Sequence, residues 1–257
     1  MKKNVYEFVE LMKTLRAPGG CPWDREQTHE SIKMNMLEEA YETCDAIEEG
    51  NDEKTMDELG DVLMQVVFHA IIAEEEGKYD LDDIAGNVYE KMVRRHPHVF
   101  GKNDEKTLDK SSEVLVKWEK IKSVEKGFTS YAQDLKDVVK ALPALTRAEK
   151  IQKRAGKAGF DWDSAEAVIP KIKEEISEVE DAITGNGNVE EEIGDLLFAV
   201  ANLARKLSID PEKALMNANR KFVSRFEKME KLYDGGEDFA SLDMKIKDEL
   251  WEKAKKL

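Results

Sequence analysis

Residues 37–68 read LEEAYETCDAIEEGNDEKTMDELGDVLMQVVF. Apolar residues recur at helical spacing on both sides of Gly50-Asn51, so the stretch predicts two helices joined by a tight turn. Glu38, Glu39 and Glu42 fall in the first helix, Glu58 and Asp61 in the second. Residues three apart share a helix face. Glu39 and Glu42 therefore point together, as do Glu58 and Asp61. Antiparallel packing of the two helices brings four carboxylates to one place. Four unpaired carboxylates in a dry pocket repel one another and lose hydration, so a cation belongs among them. Oxygen-only donors suit Mg²⁺, with Mn²⁺ as the alternative. The competing reading is a solvated acidic face, which fits Glu74-Glu75-Glu76.

The same period runs along the whole chain, with no sustained alternation, so the predicted fold class is all-α. Helices are expected over 4–16, 53–76, 81–95, from 112, and over 135–154, 164–184, 189–207, 211–232 and 242–255. Thr28 or Ser31 caps the helix before Gly50, Asp210 caps the one starting at Pro211, and Pro143 kinks or bounds its helix. Residues 101–110 are polar.

Working outward, the pattern repeats. Trp23-Asp24 recurs as Trp162-Asp163, Glu38-Glu39-x-x-Glu42 as Glu174-Glu175-x-x-Glu178, and Glu58-x-x-Asp61 as Glu192-x-x-Asp195. Lys91 and Arg95 match Lys221 and Arg225, and Trp118 with Lys122 matches Trp251 with Lys255. Five matches in the same order indicate a duplicated domain. The expected division is 1–125, a linker over 126–136, and 137–257.

Composition narrows the function. The 257 residues are 41% hydrophobic and 37% charged, with a net charge of −15. This acidity argues against nucleic-acid and anionic-membrane partners. Cys21 and Cys44 form no disulfide framework. With no signal-peptide core and no apolar run of membrane length, a cytosolic setting is expected. There is no phosphate-binding glycine loop and no zinc spacing around His29, His69, His96 and His98. Phosphate binding must then rest on metal and on side chains. Lys91/Arg95 and Lys221/Arg225, each pair four apart, are either solubilising charges or a clamp for phosphate. Trp118 and Trp251 are core residues or platforms for a base.

CPWDREQTHESI (21–32), LEEAYE (37–42), DELGDVLMQVVFHA (57–70) and VRRHPHVFG (93–101) closely resemble the MazG-type nucleoside triphosphate pyrophosphohydrolases. The second half resembles the same family through its EExxE and ExxD pairs and NANRKFVSRF (217–226). The resemblance implies tandem four-helix-bundle-like domains that dimerise, of the all-alpha NTP pyrophosphatase type. It implies Mg²⁺-dependent cleavage of a nucleoside triphosphate to monophosphate and pyrophosphate. By motif position it implies metal ligands at Glu39, Glu42, Glu58 and Asp61, and at Glu175, Glu178, Glu192 and Asp195. It implies nucleotide contacts at Lys171, Lys221, Arg225 and Trp251, and also at Lys91, Arg95 and Trp118. The position of Lys171 is Asn35 in the first half, so the two sites differ in charge. Glu38 and Glu174 adjoin ligands without being needed as such, which makes them candidates to orient the attacking water. A homodimer is the expected assembly, since small bundles with wide apolar faces can bury them against a twin. Alternatives are a hydrolase for a narrow set of non-canonical triphosphates, a non-catalytic regulator with a protein partner, and a purely structural bundle.

Overall fold

A computed structural model describes residues 3–101, 110–235 and 238–257, and every regular element among them is helical. The chain divides into two units, 1–122 and 123–257.

In the first unit α1 (Val5–Arg16), α2 (Pro22–Glu26), α3 (His29–Glu49), α4 (Asp52–Glu75), α5 (Leu81–Arg95) and α6 (Pro97–Phe100) follow in order, and α7 (Ser111–Lys126) runs across the division. Helices α3 and α4 form a hairpin. Gly50 ends α3 at φ 67°, a left-handed conformation that glycine adopts without a Cβ clash. Asn51 then caps α4 by accepting from the Lys54 N–H. At the other end of α3, Thr28 and Ser31 are not alternatives. Each accepts a hydrogen bond from the other's backbone N–H, in a reciprocal capping box. Val9 and Met12 of α1, Ile32 of α3 and Val67, Phe68, Ile71 and Ile72 of α4 form the core. Burying an aliphatic side chain of this size contributes about 1.5–3 kcal/mol. The C-terminal half of α4 is thus held on two sides, while its N-terminal half carries Glu58 and Asp61.

The second unit repeats the hairpin. After α8 (Tyr131–Lys136) and α9 (Ala144–Lys157), a 3₁₀ turn (Glu166–Val168) leads into α10 (Ile169–Ile183), then α11 (Val189–Lys206), α12 (Pro211–Leu232) and α13 (Met244–Ala254). Asn188 caps α11 and Asp210 caps α12 ahead of Pro211. Met229, Leu242, Leu250 and Ala254 form a core between α12 and α13.

Two local expectations change. The helix expected over 135–154 is two helices. Residues 137–143 separate them, because Pro143 lacks an N–H and disfavours helix in the residue before it. The expected linker 126–136 contains α8, which Ser130 caps and whose Asp134 pairs with Arg154 of α9 at 2.9 Å. Pro22 and Pro97 each open a short helix at its first position, where the missing N–H costs nothing. Residues 102–109, within the polar segment, lie outside the described residues.

Candidate active site

The α3–α4 hairpin brings one carboxylate oxygen each from Glu39, Glu58 and Asp61 within 4.8 Å of one another. All three side chains are half-buried. Glu42 is exposed, one turn along α3, with its carboxyl beside that of Glu58. Burial raises the pKa of Glu39, and the charges of Asp61, Glu42 and Glu58 raise it further. Burial and then Glu42 raise Glu58. Gln65, four residues after Asp61 on the same face of α4, sets its amide beside Glu39 and partly offsets the rise in the Glu39 pKa. Gln65 is buried, and its Oε1 has no partner. No sequence motif marks Gln65; its one signal is a polar residue at the right spacing within an apolar run.

In the second unit the α10–α11 hairpin gathers Glu175, Glu192 and Asp195 within the same 4.8 Å. Glu175 is only 4% exposed. Its Oε1 accepts from the Lys171 ammonium at 2.9 Å, and Lys171 also reaches Glu174 Oε1 at 2.8 Å. Those two bonds, Glu174 first, raise the lysine's pKa. Glu175 Oε2 is buried without a donor. The carboxyl of Glu178 adjoins Glu175, and this contact, with burial, raises the pKa of Glu178. Two carboxyls can hydrogen-bond only if one holds a proton.

The donor set fits Mg²⁺ or Mn²⁺. Hard carboxylate oxygens converge from two rigid helices, and in the second group a buried oxygen lacks the positive partner it needs. Glu38 and Glu174 lie beside these groups and are exposed.

The cationic and aromatic candidates form separate groups. On α5, the Arg95 guanidinium lies 5.1 Å from the centre of the Trp118 ring of α7, and the Lys122 ammonium lies 5.5 Å from the same ring. Lys91 is one turn earlier on α5. On α12, Phe222 packs on Trp251 of α13 with ring centres 5.1 Å apart. Lys221 and Arg225 flank Phe222 on that helix, and Arg225 adds to the lowering of the Glu252 pKa, for which Lys255 is chiefly responsible. No hydrogen bond or ion pair among the described residues joins Lys221 or Arg225 to the acidic group. The rings of His29 and His69 stack with Nδ1 atoms 2.7 Å apart and tie the start of α3 to α4. Cys21 and Cys44 are free thiols.

Residues 27–100 and 163–229 each match the MazG nucleotide pyrophosphohydrolase domain. The chain belongs to the MazG family. Each matched stretch holds one complete acidic hairpin, and Trp118 and Trp251 lie outside both. The nucleoside triphosphate pyrophosphohydrolase/pyrophosphatase MazG of Thermotoga maritima is 47% identical over 250 residues, covering 97% of this chain and 94% of that one. The nucleoside triphosphate pyrophosphohydrolase of Escherichia coli K12 is 44% identical over 259 residues, covering 98% and 97%. Bacillus subtilis YabN, an uncharacterized protein, is 44% identical over 252 residues, covering 96% of this chain and 51% of its own length. No helix among the described residues is long and apolar enough to cross a membrane.

Proposed function

We propose that this MazG chain hydrolyses nucleoside triphosphates to the monophosphate and pyrophosphate, by water attack at the α-phosphorus and with Mg²⁺ as the cofactor. The observation that carries the reading is the converging carboxylate group, present once in each matched domain. The names of relatives aligned over nearly the full chain support the reaction type.

Glu39, Glu58 and Asp61, with Glu42 beside them, would hold the cation in the first domain, and Glu175, Glu192 and Asp195, with Glu178, in the second. Bound there, Mg²⁺ supplies neutralisation of the polyphosphate and a lower pKa for the attacking water. Glu38 and Glu174 orient that water and accept its proton. Lys221 and Arg225 clamp phosphate oxygens, the guanidinium bidentately, and Trp251 offers a face to the base; Lys91, Arg95 and Trp118 do the same in the first domain. A stacking face discriminates weakly between bases, which favours broad base specificity. Exposed Leu59 and Leu63 on α4, and Ile193 and Leu197 on α11, support burial of these faces in a cytoplasmic homodimer.

Glu39→Gln together with Glu175→Gln is expected to abolish Mg²⁺-dependent pyrophosphate release in the full-length chain, with helix content retained by circular dichroism. Release at the unaltered rate by the double variant would refute the assignment. Profiling the eight common triphosphates beside dUTP and dITP separates a broad enzyme from a narrow one.

A further inference from the structure

The two acidic groups share their carboxylates and differ in what neutralises them. In the first, Glu39 has the neutral amide of Gln65, and no ion pair reaches Glu39, Glu58 or Asp61 among the described residues; the Lys54 ammonium, paired with Glu49, acts on Glu58 only from a distance. Position 35 there is asparagine. In the second, Lys171 stands one turn before Glu175 and bonds both Glu174 and Glu175. The lysine side chain is only partly exposed and Glu175 is buried, so the ammonium sits at the inner edge of the carboxylate group.

We propose that Lys171 is an internal stand-in for the metal at the second site, and that a bound polyphosphate draws it away. The divalent cation and the nucleotide thereby assist one another's binding. This rests on the reading of the acidic groups as metal sites. A carboxylate oxygen at about 2.0–2.1 Å from Mg²⁺ has no room for an ammonium at ordinary hydrogen-bond distance on the same side. Metal on Oε1 therefore displaces Lys171, and metal on the donor-free Oε2 stands across one carboxylate from the ammonium and is repelled by it, so Lys171 opposes metal entry at either oxygen. An ammonium on a flexible stem, moved off a buried carboxylate, needs another anion. The phosphates of a nucleotide supply one within reach of a four-carbon side chain. Each ligand then removes part of the cost of the other, which is a coupling free energy carried by one residue. The first site has no such lysine and takes metal without this competition.

Mn²⁺ binding to the full-length chain, read by electron paramagnetic resonance and calorimetry, tests the idea in a Glu58→Gln/Asp61→Asn background that silences the first site. Without nucleotide, adding Lys171→Met is expected to tighten Mn²⁺ binding about tenfold, a typical coupling size. Lys173→Met removes the same charge two residues along α10 and is expected to change affinity less than about twofold. An α,β-methylene triphosphate should tighten Mn²⁺ binding in the background chain and do so markedly less in the Lys171→Met chain. Lys171→Arg, which keeps a cation, should stay close to the background. Unchanged or weaker Mn²⁺ binding in Lys171→Met, or equal tightening by Lys173→Met, overturns the proposal. Mn²⁺ binding that survives Glu175→Gln in the same background instead refutes the metal-site reading beneath it.

Discussion

Glu175 gives one oxygen to Lys171 and buries the other without a donor, whereas Glu39 shares its pocket with Asp61, Glu58 and a buried amide. A carboxylate kept among its own kind costs stability until a cation arrives. Glu39→Gln is therefore expected to raise the melting temperature in chelator by a few degrees and to lose most of the extra stability that Mg²⁺ gives the first domain. Differential scanning calorimetry with EDTA and with saturating Mg²⁺ reads both effects. The acidic residues were legible in the sequence because three-residue spacing fixes a helix face. Gln65 was not, because an amide in an apolar run reads as a tolerated polar residue until its neighbour across the hairpin is known. The Lys171–Glu175 contact is four residues long and so was visible in principle. The motif gave Lys171 to the nucleotide, and only the burial of Glu175 exposes its second partner.

The α3–α4 hairpin depends on contacts at both ends. The His29–His69 pair closes the open end, with Glu76 4.0 Å from His29 Nε2 and Lys78 on Glu76. One Nδ1 must donate and the other accept, so the pair needs at least one neutral ring. Burial, then His29, lowers the pKa of His69 below its ordinary value. The folded state thus favours neutral His69. Its contribution is complete above a pH of about 6.5 and is lost as pH falls through the lower folded value. Thermal melts at pH 7.5 and pH 5 should show a drop that His69→Gln flattens. The pairing spans 40 residues and leaves no local trace, whereas the caps at Thr28 and Asp210 were legible because capping is a contact within one turn. Gly60 and Gly194 sit inside α4 and α11 between the acidic residues, and a Cβ at either would meet nothing within 4 Å. Alanine at each is expected to stabilise its helix by about 0.5–1 kcal/mol, measured by urea unfolding.

Taken whole, the chain carries 15 net negative charges and exposes large apolar side chains on the helices that bear the carboxylates. Burying those faces against a second copy sets apolar gain against like-charge repulsion, and salt screens only the repulsion. Light scattering at micromolar concentration should give a dimer mass, with the dissociation constant falling as salt rises from 20 to about 300 mM. A monomer at every salt concentration would contradict the homodimer. The duplication was legible because polar site residues recur in order, while the cores have diverged in identity. The empty space beside Gly60 and Gly194 also offers a means of observation. With Cys21 and Cys44 replaced by serine, Gly60→Cys or Gly194→Cys places a nitroxide spin label directly before Asp61 or Asp195. Bound Mn²⁺ relaxes a nearby nitroxide, so the loss of label signal reports the filling of each site separately within one intact molecule.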